Sequence, residues 1–298
     1  MQSENRKEKK VKNDSFCVFV ISHGRPGNVI TLKTLKKAGY SGPCFIVCDN
    51  EDETVDQYRK KHGEEKVVVF DKMLYAEMVD SCDNFQDRRT TTHARNACFD
   101  IAKEKGFDFF LVLDDDYQSI YLLKESDKNT TDRPVENCLQ TFQAVCKWLK
   151  NVEQIKSVCF MQTGDAIGGM KSVQKLFSRF PFLKRKAMNS FFCKTDRRFW
   201  FFSRLNEDVN TYLEGGKRGE VFLTIPDALI KQKQTQKTKG GMSEAYLANG
   251  TYVKSFYTVM ICPSFAKVTI TPAMSRLHHR IAWDNAIPKI INEDHRKP

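Results

Sequence analysis

Short apolar runs alternate with amphipathic segments through the first half of the chain. Four runs have the composition of buried strands, at 16–22, 43–48, 66–70 and 107–113. Helical spacing of apolar residues fills the gaps between them, at 29–38, 53–62 and 92–105. Gly39 and Gly106 follow the first and third helical segments, where a helix is expected to end. The alternation predicts an α/β fold with a mostly parallel central sheet and helices on both faces.

The second half of the chain is less regular. Its pattern predicts a helix over 135–150 and strands over 157–162, 191–202 and 252–261. Gly215 and Gly216 predict a turn between the last two strands. Proline and glycine are too sparse to mark a linker, with 9 and 15 residues in the whole chain. We therefore expect one domain over 15–298, preceded by a disordered basic arm over 1–14.

Polar residues stand where three of the predicted strands end. Ser22 and Arg25 follow the first strand, Asp49 follows the second, and three aspartates at 114–116 follow the fourth. In a parallel sheet these ends share one edge, and ligands bind at that edge in open α/β folds. The three polar clusters are therefore expected to form one site.

The aspartate run 114–116 places three carboxylates side by side. Such groups repel each other and are unfavourable to bury unless a positive charge lies among them. A hard divalent cation with oxygen ligands is the natural partner, and the alternative is a solvated acidic turn. Asp114 and Asp116 are alternate residues that can share one face of a strand end, so they are the expected metal ligands.

The chain is basic, with 48 Lys and Arg against 37 Asp and Glu and a formal net charge of +11. This excess favours a polyanionic partner, either nucleic acid or an anionic membrane surface. No stretch approaches the roughly 20 apolar residues of a membrane span. The polar N-terminus also lacks the apolar core of a secretory signal. We expect a cytoplasmic protein whose ten cysteines stay reduced and act as small buried apolar residues.

Two further pairs of charged residues each have two interpretations. Glu207 and Asp208 precede a helical stretch, where they serve as a general base or as first-turn acids that stabilise the helix dipole. Arg25 and Arg95 either offer bidentate contacts to phosphate or form structural ion pairs.

Weaker signals come from histidines, glycines and a basic segment. His278 and His279 are candidate metal ligands that fold back over the site, or ordinary surface histidines. The pair Gly168 and Gly169 allows close backbone approach to a ligand. The segment 171–186 interleaves basic and aromatic residues and is a candidate surface for phosphate contacts. No phosphate-binding loop or dinucleotide-binding glycine motif is present, so nucleotide hydrolysis and dinucleotide binding are not indicated.

Several longer stretches of the sequence resemble the sequences of one protein family. These stretches are ARNACFDIA from Ala94, LDDDY from Leu113, KAMNSFF from Lys186, NEDVNTY from Asn206, TQKTKGGM from Thr235, GTYVKSFY from Gly250 and HHRIAW from His278. Together with the Ser-His-Gly-Arg-Pro turn after the first strand, they resemble the TET-associated glycosyltransferases of bacteriophages. The resemblance extends from residue 16 to residue 291.

The resemblance implies a single-domain, GT-A-like glycosyltransferase that requires Mn2+ or Mg2+. The implied donor is a nucleotide-sugar, expected to be linked to uridine diphosphate. The implied acceptor is the hydroxymethyl group of a 5-hydroxymethylpyrimidine in DNA, with 5-hydroxymethylcytosine expected before the uracil analogue. The implied compartment is the cytoplasm of the phage-infected bacterium, with no membrane and no protein partner indicated.

The resemblance also implies roles for individual residues. Asp114 and Asp116 match the motif that binds the metal and the donor diphosphate, and Asp49 matches the position that contacts the nucleoside. Arg25 and Arg95 match residues that contact the donor phosphate and sugar.

The remaining implied roles concern the acceptor and the rest of the donor site. Glu207 and Asp208 match the motif that supplies the general base, with Asp208 favoured. His278 or His279 matches a late metal ligand. The donor site is expected to include Ser22, Asp115, Gly168 and Gly169 as well.

Three other functions fit the same residues. One is a glycosyltransferase that acts on a protein or glycan, and another is a non-catalytic DNA-binding module on a transferase fold. The third is a metal-dependent nuclease, because acidic clusters and a basic surface also suit that chemistry.

Overall fold

The computed structural model describes residues 14–81, 86–125, 130–162, 189–232, 242–271 and 276–288. The strands are β1 Phe16–Ile21, β2 Cys44–Asp49, β3 Val67–Phe70, β4 Phe109–Asp114, β5 Tyr117–Glu125, β6 Thr130–Pro134, β7 Ile155–Gln162, β8 Ser190–Lys194, β9 Val221–Gln232, β10 Ala266–Thr271 and β11 Arg276–Ile281. The helices are α1 Ile30–Lys37, α2 Val55–His62, α3 Lys72–Ala76, α4 Thr92–Glu104, α5 Cys138–Asn151, α6 Glu207–Lys217, α7 Met242–Ile261 and α8 Trp283–Ala286.

The first four strands form a parallel sheet in the order β3-β2-β1-β4. This part of the molecule confirms the predicted α/β architecture, including the strand–helix alternation. Ile21 at the end of β1 is the register partner of both Val47 and Asp114. The carboxyl ends of β1, β2 and β4 therefore meet at one edge, as the strand-end argument requires.

The less regular second half extends the same sheet in the order β4-β8-β7-β9-β5-β6. Strand β8 is antiparallel to both β4 and β7, whereas β7 and β9 are parallel. Strands β5 and β6 complete the sheet with antiparallel pairings. A separate two-stranded antiparallel sheet, β10 with β11, packs against α7.

Apolar residues cover both faces of the large sheet, and strand β1 shows why. Its alternate side chains enter two different core clusters, with Phe16, Val18 and Val20 in one and Cys17, Phe19 and Ile21 in the other. The first cluster includes residues of α1 and α5, and the second includes residues of α4 and α6. A strand buried on both faces reads as a continuous apolar run, which is the pattern that β1 and β4 have.

The cysteines behave as small apolar residues. The nine that fall within the described ranges are free thiols, and all of them except Cys44 are buried. Within the same ranges, no helix is both long enough and apolar enough to span a bilayer.

Three predictions for the second half were wrong. Residues 252–261 belong to helix α7 and not to a strand; Ser255 and Thr258 are buried while Phe256 is exposed, which is helical spacing. Gly215 and Gly216 lie inside helix α6 and not in a turn. A side chain at either glycine would overlap a neighbouring element, so these glycines allow close packing. The strand predicted over 191–202 ends at Lys194, beyond which the chain leaves the sheet.

Gly39→Ala should destabilise the protein more than Gly106→Ala. Both glycines have a positive φ, +76° and +73°, where an alanine is strained by about 1–2 kcal/mol. A Cβ at Gly39 would also overlap the backbone carbonyl of Glu136, whereas a Cβ at Gly106 would meet nothing within 4 Å. We expect a loss of about 3 kcal/mol for Gly39→Ala and about 1 kcal/mol for Gly106→Ala in urea unfolding. Equal losses would show that the contact with Glu136 contributes nothing.

Candidate active site

Strand β4 delivers the aspartate run to the sheet edge where β1 also ends. Thr31 of α1 holds the run through its backbone. The Thr31 hydroxyl donates to the carbonyl oxygen of Asp114 at 2.6 Å, and its N–H donates to the carbonyl oxygen of Asp115 at 3.1 Å. The backbone of the run is therefore fixed, and its three carboxylates make separate contacts.

Asp115 points back toward the turn after β1. Its Oδ2 accepts a hydrogen bond from the Ser22 hydroxyl at 2.6 Å, and its Oδ1 lies 2.9 Å from Nη2 of Arg25. Burial raises the pKa of Asp115 to about 6, although the charge of Arg25 acts in the opposite direction. Ser22, Arg25 and Asp115, all predicted donor-site residues, thus form one connected group.

Asp116 has a buried carboxylate oxygen, Oδ1, without a hydrogen-bond partner in the described part of the chain. Burial raises the pKa of Asp116. Burial also raises the pKa of Asp114 to about 6, against the effect of Arg95 and with a further contribution from the charge of Asp116. A divalent cation would favour the ionised form of both groups and would satisfy the unpartnered oxygen, so the two aspartates fit such an ion.

No group of three or more His, Cys, Asp or Glu side chains within the described ranges is placed to hold one metal ion. A cation at Asp114 and Asp116 would therefore have few protein ligands. Such an arrangement suits Mg2+ or Mn2+ bound together with water and substrate phosphate.

Arg95 of α4 joins the aspartate run to the second acidic pair. Its Nη1 lies 2.5 Å from Oε1 of Glu207, and its Nη2 lies 3.1 Å from Oδ1 of Asp114. Nη2 also donates to Oδ1 of Asn189 at 3.2 Å. The guanidinium is 1% exposed and lies over two phenylalanine rings, at 5.2 and 5.6 Å from their centroids. Burial opposes its charge, but Glu207 and Asp114 raise the pKa of Arg95.

Glu207 and Asp208 form the first turn of helix α6, where the helix dipole stabilises negative charge. Glu207 is engaged within the protein, because its Oε1 accepts hydrogen bonds from Arg95 and from the Thr91 hydroxyl at 2.9 Å. Asp208 is also buried, at 8% exposure. The structure therefore brings the acidic pair beside Asp114, with Arg95 between them.

Asn206, the residue before α6, has left-handed backbone angles, with φ 51° and ψ 38°. Asparagine tolerates this region better than most residues do. Its Nδ2 donates to the carbonyl oxygen of Lys254 at 2.8 Å and to the Thr258 hydroxyl at 3.0 Å, both on α7. The same atom lies 3.3 Å from Nδ1 of His279 on β11.

His279 therefore contacts Asn206, the residue that directly precedes the acidic pair in the chain. His279 is 7% exposed, and its ring centroid lies 4.4 Å from that of the exposed His278. The histidine doublet thus belongs to the same end of the molecule as Glu207.

Asp49 is held between His23 and Lys72 at the end of β2. Its Oδ2 lies 2.8 Å from Nδ1 of His23, and its Oδ1 lies 3.2 Å from Nζ of Lys72. Burial acts to raise the pKa of Asp49, but the His23 hydrogen bond and the charge of Lys72 lower it to about 2. The hydrogen bond to Asp49 in turn raises the pKa of His23.

Several residues of the site were missed by the sequence patterns. Lys72 follows the end of β3, so its position just after a strand is the same signal that identified Asp49. Tyr58 lies 2.7 Å from the Ser22 hydroxyl, and Gln232 donates to Oδ2 of Asp114 at 3.4 Å. Tyr58 and Gln232 have no local signal, because only the tertiary fold brings them to the site. Gly168, Gly169 and the basic segment 171–186 lie outside the described residues, as does most of the arm over 1–14.

The solved structures to which this chain is similar include a synthase and a mannosyltransferase. Glucosyl-3-phosphoglycerate synthase from Mycobacterium tuberculosis, solved with Mg2+ and uridine diphosphate, is 9% identical with a TM-score of 0.43, covering 90% of this chain and 87% of its own. The mannosyltransferase PcManGT from Pyrobaculum calidifontis, solved with GDP-mannose and Mn2+, is 14% identical with a TM-score of 0.48, covering 86% of this chain and 68% of its own. A comparison with curated proteins finds no match.

The family model of the TET-associated glycosyltransferases matches residues 16–241 of the chain. This range contains the turn after β1, Arg95, the aspartate run and the acidic pair 207–208. The match confirms the family that the longer sequence stretches resemble. Since it spans most of the 298 residues, the protein belongs to the TET-associated glycosyltransferases.

Proposed function

We propose that the protein transfers a sugar from a nucleotide-sugar to the hydroxymethyl group of a 5-hydroxymethylpyrimidine in DNA. In this proposal the donor is linked to uridine diphosphate, the preferred acceptor base is 5-hydroxymethylcytosine, and the reaction depends on Mn2+ or Mg2+. Family membership supports sugar transfer. The net charge of +11 supports a polyanionic acceptor.

The observation that carries the metal-dependent donor site is the unpartnered, buried Oδ1 of Asp116. Asp116 and Asp114 would hold the cation; His278 and His279, which the sequence predicted as further ligands, do not form a metal-binding group with them in the described part of the chain. When bound, the cation would stabilise the negative charge that develops on the diphosphate as the sugar leaves.

On the donor side, Arg25 is the arginine placed to contact the diphosphate. Its side chain is 24% exposed beside Asp115, so it can reach a ligand without leaving its ion pair. Arg95 is 1% exposed and directs both terminal nitrogens at carboxylates. We therefore assign Arg95 the role of holding Asp114 and Glu207 in place. Ser22, Asp49, Asp115, Gly168 and Gly169 remain in the proposed donor site.

On the acceptor side, the hydroxyl of the hydroxymethyl group must lose a proton to a general base. We assign this role to Asp208, the residue of the acidic pair that the family resemblance favours, whereas the contacts of Glu207 with Arg95 and Thr91 suit it to holding the site together. The 5-position of a pyrimidine lies on the major-groove edge of DNA, where a hydroxymethyl group is accessible to an enzyme.

Incubation of the protein with hydroxymethylated DNA, Mn2+ and a panel of nucleotide-sugars should add the mass of one sugar residue to each modified base. Mass spectrometry of the digested DNA measures the product. We expect transfer from a UDP-sugar to 5-hydroxymethylcytosine and none to DNA that contains only cytosine.

Raising the salt concentration separates a DNA acceptor from other acceptors. The apparent affinity for DNA should fall steeply between 50 and 200 mM salt, by about 10³-fold or more if six phosphates are contacted. Transfer to a glycan or protein with no DNA product would contradict the proposed acceptor. DNA binding without turnover of any donor would indicate a non-catalytic module, and cleavage of DNA in the absence of donor would indicate a nuclease.

Asp116→Ala should abolish transfer while leaving the fold intact. The substitution removes an unpartnered buried acceptor, so we expect little change in thermal stability and loss of the stabilisation that Mn2+ gives to the wild-type protein. Asp115→Asn is the matched comparison. It weakens the contacts to Ser22 and Arg25, so it should lower the free energy of unfolding by about 1–3 kcal/mol. Full transfer by Asp116→Ala in the presence of metal would contradict the assignment.

Asp208→Asn and Glu207→Gln should differ in kinetics. If Asp208 is the base, Asp208→Asn should lower kcat by about 10²–10⁴-fold while the protein stays folded. Glu207→Gln loses the charge that faces Arg95, so it should lower the melting temperature and reduce kcat less. Steady-state kinetics and thermal unfolding of both variants provide the test. The reverse pattern would make Glu207 the base.

A further inference from the structure

The two-stranded sheet of β10 and β11, here called the β10–β11 ribbon, has a basic outer face. Three of its twelve residues are Lys or Arg, and neither strand contains an aspartate or a glutamate. The strands are antiparallel, and Lys267 is the direct register partner of Arg280. Both residues are exposed. Partners in such a pair project from the same face, with Cβ atoms about 5 Å apart.

This register brings two positive charges together on the exposed face. Like charges directly opposite each other destabilise a sheet. Among the described residues, neither Lys267 nor Arg280 belongs to an ion pair, whereas Lys217 on the neighbouring helix α6 contacts Glu214. A phosphate group bound at this face would remove the repulsion and accept charge-assisted hydrogen bonds from both side chains.

The ribbon is attached to the helix that carries the acidic pair. Nδ1 of His279 lies 3.3 Å from Nδ2 of Asn206, the residue directly before that pair. Just beyond β11, the Trp283 ring packs edge-on against Tyr212 of α6, with ring centroids 5.5 Å apart. Arg280 follows His279 directly, so the two Cα atoms are about 3.8 Å apart. The pair of cations therefore adjoins the proposed acceptor site.

The shape of DNA brings phosphates to the same place. The 5-position of a pyrimidine lies in the major groove, which is about 12 Å wide and is bordered by the two phosphate backbones. When a hydroxymethyl group in this groove reaches Asp208, a phosphate backbone of the same DNA lies close by. A cationic surface beside the acidic pair is thus placed to face that backbone.

We propose that the exposed face of the β10–β11 ribbon binds the phosphate backbone of the acceptor DNA, with Lys267 and Arg280 as the contacting residues. This inference rests on the proposed function and adds the surface that holds the DNA against the acidic pair. Phosphates are the same at every position of a duplex, so these contacts would orient the DNA without reading its sequence.

An anionic membrane is the other polyanion that a basic surface can bind. Membrane attachment by charge commonly uses clusters of about 4–8 Lys or Arg residues beside a membrane-spanning or amphipathic helix. The β10–β11 ribbon has a single opposed pair of exposed cations next to the acidic pair, which favours a local contact with a DNA backbone.

Titration of a short hydroxymethylated DNA duplex at several salt concentrations, followed by fluorescence anisotropy, tests the contact. Lys267→Gln/Arg280→Gln should reduce the slope of log affinity against log salt concentration by about two, because each phosphate contact contributes about one. Binding at about 100 mM salt should weaken by about tenfold or more. An unchanged slope would overturn the proposal.

Lys36→Gln/Lys37→Gln is the matched control, because it removes the same charge from another exposed surface. Helix α1 begins at the sheet edge, where Thr31 contacts the aspartate run, and its last turn carries Lys36 and Lys37 toward the opposite edge. The control should change the slope little. A reduction as large as that of the ribbon variant would assign the effect to net charge and overturn the proposal.

The charge-conserving variant Lys267→Arg/Arg280→Lys separates charge from structure. It should keep the wild-type slope, and a loss equal to that of the glutamine variant would overturn the phosphate contact. The glutamine variant should also be at least as stable to heat as the wild type, because it removes the repulsion between opposed cations. If the double variant does not fold, Lys267→Gln and Arg280→Gln singly should each reduce the slope by about one.

Other ligands and the transfer assay separate this inference from the proposed function. The ribbon variant should bind UDP as the wild type does, and weaker binding to vesicles that contain phosphatidylserine with unchanged DNA binding would overturn the proposal in favour of a membrane. If the ribbon variant loses DNA affinity as described but wild-type protein transfers no sugar to the DNA, the proposed reaction fails and the DNA contact stands. If wild-type protein transfers sugar to DNA and the ribbon variant binds DNA normally, the DNA contact fails and the proposed function stands.

Discussion

The candidate active site depends on one buried guanidinium. Arg95 bonds to Asp114 on the donor side and to Glu207 on the opposite side, in a setting that is 1% exposed and walled by aromatic rings. Two carboxylates that face each other across a buried space repel, and removal of the shared cation would leave both uncompensated, a loss of about 3–5 kcal/mol for a buried pair. The charge of Arg95 allows the carboxylates at the ends of β4 and α6 to lie close together. The same interaction that stabilises the fold sets the spacing between the two halves of the site.

Three identical neighbours in the aspartate run differ in their surroundings. Asp114 faces Arg95, Asp115 faces Arg25 and Ser22, and Asp116 keeps an unpartnered oxygen. The three side chains point in different directions at the end of β4. Arg95 of α4 neutralises Asp114, and Arg25 of the turn after β1 neutralises Asp115. The remaining carboxylate is the one whose charge is left for a ligand to balance. The different roles of the three aspartates therefore follow from which of them already has an arginine beside it.

The local pattern of apolar and polar residues was enough to predict the first half of the fold and the sheet edge where the candidate site lies. Strands β1, β2 and β4 are continuous apolar runs with polar ends, so the sheet edge and the meeting of Ser22, Asp49 and the aspartates follow from the order of elements alone. The sequence pattern gave wrong secondary structure where tertiary packing outweighs the local preference of the residues. Helix α7 contains β-branched and aromatic residues, yet its buried polar face meets Asn206, and the paired glycines of α6 permit contact with α8 and β9. Contacts such as Asn189 with Arg95 and Gln232 with Asp114 join residues that are distant in the chain, and no short-range signal marks them.

The left-handed Asn206 has a consequence for how this family can vary. Its amide binds Lys254, Thr258 and His279, all of which lie beyond the range 16–241 that the family model covers. Few side chains other than asparagine both accept that backbone conformation and supply an amide donor. Position 206 is thus in physical contact with Thr258, which is 52 positions away in the chain. A relative that replaces this asparagine must also rebuild the polar face of α7, so substitutions in the C-terminal segment are expected to evolve together with the acidic motif.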